Sequence, residues 1–118
     1  MVPDVDAGAR TGRAIVLVDH GSRSAAANQN LAAIAARLER RCHGTRVETA
    51  HMELAPPSLA DAIATCAEGG AREIVVYPFF LAPGRHSRQD IPRLLREVAA
   101  AYPDLSLRLA EPLGVHEK

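Results

Sequence analysis

The sequence predicts an α/β fold, a flavodoxin-like open parallel sheet with helices on both faces, and three observations lead there. Two short runs are continuously apolar, Ala14 to Val18 (AIVLV) and Ile74 to Leu81 (IVVYPFFL), as strands covered on both faces must be. Two further runs, Thr45 to Met52 and Leu105 to Leu109, mix or alternate apolar and polar residues, the mark of half-exposed edge strands. Between the strands lie three stretches whose apolar residues recur at helical spacing. The order β-α-β-α-β-α-β is that of a parallel sheet joined by crossover helices.

Each helix has its own signals. Leu31, Ile34, Ala35, Leu38 and Cys42 stripe the first, with Gln29, Arg37, Arg40 and Arg41 on other faces. Ser22 precedes it and is expected to cap it or to hydrogen-bond a ligand. Leu59, Ala62, Ile63 and Cys66 stripe the second, which Ser58 and Asp61 open as a capping box and Gly69 and Gly70 close. Ile91, Leu94, Leu95, Val98 and Tyr102 stripe the third; Asp90 is expected to start it, since Pro92 suits a first turn.

Placing the two apolar strands at the centre gives strand order 2-1-3-4. With right-handed crossovers, the first helix then lies on one face and the other two on the opposite face. Half of the first face, over the third and fourth strands, is left without a helix. It is expected to be covered by a partner subunit or by a last helix missing from this chain. Residues 1–13 (MVPDVDAGARTGR) read as a flexible tail, and 14–118 as one domain.

Composition narrows the functional classes. At 118 residues and 47% apolar content the chain can bury a core. Fourteen basic residues balance fourteen acidic ones, which removes any bulk electrostatic case for nucleic acid or an anionic membrane. No apolar run approaches the roughly 18 residues of a membrane span, and the N-terminal stretch lacks a signal peptide's apolar centre, so the expected location is cytoplasmic. No glycine-rich nucleotide fingerprint is present. Cys42 and Cys66 form no close metal or redox pair and read as buried structural thiols.

Open α/β sheets bind ligands beyond the carboxyl ends of their strands, where strand order reverses, here between the first and third strands. The sequence puts DHGSR (Asp19 to Arg23) after the first strand, LAPGRHSRQD (Leu81 to Asp90) in a loop after the third, and Glu53 at the end of the second. His20, Glu53 and His86 thus come from three adjacent strands, 33 residues apart in each step. Two imidazoles and a carboxylate suit a borderline divalent ion such as Co, Ni, Fe or Zn, and three protein ligands leave the site open. Imidazoles also take protons near neutral pH. Arg23, Arg85 and Arg88 share the rim and are candidates for binding carboxylates, with Gly21 and Gly84 letting backbone approach a ligand. His51 shares a strand face with Glu53, as a structural residue or an auxiliary ligand. His43 and His116 read as surface residues. A triad of Asp19, His20 and Ser22 fails, because such near neighbours cannot aim at one another.

The segments LVDHGSR, HMELAPPSLADAI and VVYPFFLAPGRHSRQDIP together resemble the sirohydrochlorin chelatases, the class II tetrapyrrole chelatases of the CbiX and SirB type in their short single-domain form. The resemblance runs from about Ala14 to Gly114. It implies an ATP-independent lyase that inserts a divalent metal ion (Co, Fe or Ni), itself a substrate, into sirohydrochlorin during cobalamin or sirohaem biosynthesis. It implies that His20 and His86 contact the metal, with Glu53 the acidic residue of the site. It also implies a homodimer with active sites facing a central cleft, and a C-terminal helix beyond the Gly114 region. Ser22, Arg23, Gly84, Arg85 and Arg88 are the expected substrate contacts. The alternative is a non-catalytic metal or tetrapyrrole carrier of the same fold.

Overall fold

The computed structural model describes residues 12–42, 44–79 and 85–110, the side chains of 85–90 excepted. Its elements are β1 (Arg13–Asp19), α1 (Ala25–Arg41), β2 (Arg46–His51), α2 (Leu59–Glu68), β3 (Glu73–Pro78), α3 (Arg85–Ala101) and β4 (Ser106–Leu109). The strands form one parallel sheet in the order β2-β1-β3-β4, as the apolar pattern predicts. Register aligns Asp19 with His51 and Val18 with both Ala50 and Pro78, so the carboxyl ends of three strands finish level.

Side-chain alternation along β1 divides the core in two. Ala14, Val16 and Val18 point to the face that carries α2 and α3, where Ile63, Cys66, Ile91 and Leu95 complete the larger cluster. Leu17 points to the other face and meets Leu31, Ala35 and Val47 under α1 alone. The handedness argument therefore holds for the described helices: one on one face, two on the other. Ile15, Tyr77 and Phe79, on the α1 face, are only half-buried. At the far end of the sheet, Arg13 and Arg108 both bind Glu73, at 3.2 and 3.1 Å. These exposed pairs contribute little stability but make that end of the face polar.

Local chemistry explains the helix ends and corrects four expectations. Ser58 caps α2, its Oγ accepting from the Asp61 N–H at 3.1 Å, and Gly69 ends the helix, as expected. The cap of α1, however, is Ser24, whose Oγ accepts from Ala27, and not Ser22. Cys42 is the C-cap of α1, half-buried, and not part of its buried stripe. Helix α3 begins at Arg85, so Asp90 does not start it and Pro92 lies well inside it. Finally, β3 ends at Pro78 where an apolar run to Leu81 suggests a longer strand. Periodicity is blind to the start of α3, because Arg85 to Asp90 are polar and leave no stripe. Residues 1–11, His43 and His116 lie outside the described residues, as does the segment expected beyond Gly114.

Cys66 is 1% exposed. Burial pushes its thiol up from 9.0 to about 11, with the Glu48 carboxylate adding to the effect and Arg46 opposing it. In the unfolded chain this thiol ionises at lower pH than in the folded one. Its contribution is thus intact below the unfolded pKa and is lost as pH rises towards the folded one, by up to about 3 kcal/mol. Urea denaturation at pH 7.5 and at pH 10.5 is expected to show part of this loss in the wild type and much less of it in Cys66→Ala.

Candidate functional site

The β1–β2 ladder continues past the ends of both strands. Met52 N–H donates to the Asp19 carbonyl at 2.8 Å, and Glu53 N–H donates to the His20 carbonyl at 3.0 Å. On the other side of β1, Phe79 N–H donates to the Val18 carbonyl at 2.7 Å. His20 and Glu53 therefore stand side by side on the rim through their backbones, and both are exposed. Glu53 lies two residues beyond β2, not at its last position.

Gly21 makes this approach possible. Its φ is +94°, in the region that favours glycine, and a Cβ there would collide with the Glu53 carbonyl. Directly beneath, His51 is 4% exposed and its Nδ1–H donates to Asp19 Oδ1 at 2.5 Å. That ring nitrogen is occupied, so His51 serves to tie the ends of β1 and β2 together. Beyond Gly21, Asn28 brackets the turn: its Nδ2 donates to the Ser22 carbonyl at 2.7 Å and its Oδ1 accepts from the Ser22 N–H at 3.0 Å. The Ser22 Oγ accepts from the Ser24 N–H at 3.0 Å, so the hydroxyl braces the turn. Arg23 follows, exposed on the same turn.

Arg85, His86 and Arg88 belong to the first two turns of α3 and not to a loop, because that helix starts earlier than its apolar stripe. Their side chains, and Gly84, lie outside the described residues. Among the described residues no three His, Cys, Asp or Glu side chains are grouped to hold a metal ion. Below His20 opens a cleft of about 560 Å³, walled by Asp19, Gly21 and Ser22 at the rim, by α1 along one side and by Phe79. A second hollow of about 640 Å³ lies between Ala71, Arg72, Tyr102 and Leu105, with no histidine or thiol among the described residues that line it. Sequence reading weighed Asp19 only for a rejected triad and did not single out Asn28. The available signal for Asp19 was register, since parallel strands ending in Asp19 and His51 bring the two level.

One comparison decides the family: the CbiX family model matches residues 14–118. The chain belongs to the CbiX family. This CbiX chain is 43% identical over 102 residues to the chloroplastic sirohydrochlorin ferrochelatase of Arabidopsis thaliana, covering 86% of this chain and 45% of that protein. It is 43% identical over 82 residues to the sirohydrochlorin cobaltochelatase of Methanopyrus kandleri, covering 70% and 57% respectively. It spans about half the length of these relatives. Among solved structures, the CbiX protein of Marinobacter aquaeolei VT8 superposes with a TM-score of 0.75 at 33% identity, covering 88% of this chain and 84% of that one. The sirohydrochlorin chelatase SirB of Bacillus subtilis subspecies spizizenii, solved with cobalt, gives 0.79 at 30% identity, covering 88% and 44%. None of the described helices is long and apolar enough to cross a membrane.

Gly21→Ala tests the rim of this CbiX chain directly. A Cβ on the Glu53 carbonyl together with a positive φ is expected to cost at least about 2 kcal/mol. Thermal melting reads that loss; an unchanged melting temperature would mean that the turn does not need glycine.

Proposed function

We propose that this CbiX chain inserts a divalent metal ion, cobalt, iron or nickel, into sirohydrochlorin without ATP, as a step towards cobalamin or sirohaem. The observation that carries the reading is the junction of His20 and Glu53 above an open cleft, in a chain whose relatives are named sirohydrochlorin ferrochelatase and cobaltochelatase. His20 and His86 hold the incoming ion, and Glu53 helps to bind it or accepts a proton. Both the metal and the macrocycle are substrates.

The chemistry asks little more of the protein. Two pyrrole N–H protons must leave as the metal enters, and imidazole is a suitable acceptor near neutral pH. No bond needs nucleotide energy, because coordination by four ring nitrogens drives the exchange. The macrocycle's carboxylates hold it in place, with Arg23, Arg85 and Arg88 as partners through charge-assisted hydrogen bonds and with Ser22 and Gly84 on the same rim. A cytoplasmic location and a homodimer belong to the same proposal. The half-buried Ile15, Tyr77 and Phe79 on the α1 face support the dimer, since a second subunit would cover them.

An anaerobic insertion assay with sirohydrochlorin and Co(II), Fe(II) or Ni(II), followed by absorbance, is expected to show many turnovers per chain. Stoichiometric uptake alone would mean a carrier. His20→Ala and His86→Ala should each lose most of the insertion rate, and the double variant little more, as groups acting together do. Near-normal insertion by either folded single variant would remove it from the site. Sedimentation at micromolar concentration is expected to give a dimer; a stable, well-folded monomer would overturn that part.

A further inference from the structure

The chain after β2 reverses within a few residues. Glu53 N–H is bound to the His20 carbonyl at 3.0 Å, and His51 N–H donates to the Pro57 carbonyl at 2.9 Å. The segment that leaves the rim at Glu53 thus returns to the same strand end at Pro57. Leu54 sits in this reversal with a φ of +73°, the one described residue other than glycine in the left-handed region. Glycine and asparagine are the usual occupants there, because any larger residue sets its Cβ against a neighbouring carbonyl. The matching turn after β1 does use glycine, Gly21 at φ +94°. The turn after β2 holds a leucine under strain.

Packing within the chain does not offset that strain. Leu54 is 54% exposed and belongs to neither core cluster, whereas Met52, two residues earlier, packs against the larger one. An exposed leucine by itself needs no explanation. Leu109, the other exposed large apolar residue among those described, lies on the extended backbone of β4. Leu54 combines exposure with strain, and its Cα is about 3.8 Å from that of Glu53, as consecutive residues are. Strain that the fold does not use points to a ligand or partner. The patch that a second subunit would cover, Ile15, Tyr77 and Phe79, lies on and after β1 and β3. Leu54 follows β2, the outer strand on the other side of β1, beside the residues proposed to meet the substrate.

We infer that Leu54 is a substrate-contacting residue that packs against the apolar face of the macrocycle while His20 and Glu53 stand at its metal-binding centre. The inference rests on the proposed function, which supplies the ring, and adds an apolar contact on the β2 side of the rim. A tetrapyrrole is wider than the ion it receives, so a ring centred on the junction of His20 and Glu53 overlaps the residue next to Glu53. Covering the exposed half of the leucine removes apolar surface from water, which in the complex offsets the strain held in the turn. Such a contact carries no charge, so salt does not screen it.

Leu54→Gly relieves the strain and removes the side chain in one step, which separates folding from binding. The variant is expected to melt no lower than wild type. In a fluorescence titration of the full, metal-free chain it should nevertheless bind sirohydrochlorin about tenfold more weakly, the order expected when half a leucine side chain is no longer covered. That loss should be the same at low and at high salt. In insertion, KM for sirohydrochlorin should rise while KM for Co(II) stays at the wild-type value. Leu54→Met, which keeps an unbranched apolar side chain, should bind as wild type does, and so should Leu109→Ala. If wild type binds sirohydrochlorin and folded Leu54→Gly binds it equally well, the contact is overturned while the proposed function stands. Melting of Leu54→Gly well below wild type would assign the side chain to folding and also overturn the inference. So would a change in its sedimentation without a change in binding, which would assign Leu54 to a subunit contact. If wild type binds no sirohydrochlorin, the proposed function falls and this inference with it.

Discussion

The contact between Gly21 and the Glu53 carbonyl is the constraint on which the rim depends. Parallel strands need not stay together beyond their last ladder bond. Here they do, because the chain after β1 turns at a residue with no side chain and lets the backbone after β2 close on it. The Asp19–His51 pair fixes the same two strand ends one step lower, and the Asn28 bracket fixes the turn one step higher. His20 and Glu53 share a position through a backbone hydrogen bond, Glu53 N–H to the His20 carbonyl. Three devices, a close backbone approach, a side-chain pair and an amide bracket, hold the rim on which both exposed residues stand.

The sheet was legible from the sequence because burial on two faces has a simple signature. AIVLV and IVVYPFFL have no polar residue to place outward, and that put β1 and β3 at the centre. Right-handed crossovers then followed, with the lone helix on one face. The start of α3 was not legible. Its first turns, RHSRQD, extend beyond the packed stripe and have nothing apolar to mark them, so a helix read as a loop and Pro92 was assigned to a first turn. The N-cap was displaced for a similar reason: SRS offers two serines two residues apart, and only the geometry of the turn shows which hydroxyl faces the first free N–H groups.

At the site, chain position proposed His20 and Glu53 because strand ends at a switch point are few, and the structure places the two side by side. Asp19 entered only in a rejected triad, since nothing in its own segment points to its partner. Its meaning comes from His51, 32 residues away, through strand register.

Among the described residues one helix packs on the α1 face, and that has a thermodynamic consequence. Phe79 belongs both to the wall of the cleft and to the half-buried patch with Ile15 and Tyr77. Occupancy of the cleft and coverage of the patch therefore draw on the same surface, and neither free energy is independent of the other. Any body that covers the patch changes affinity in the cleft, and a ligand in the cleft changes the affinity of that body by the same factor. Under the proposed function, in which substrate enters the cleft and a second subunit covers the patch, catalysis and assembly would be coupled through the single ring of Phe79.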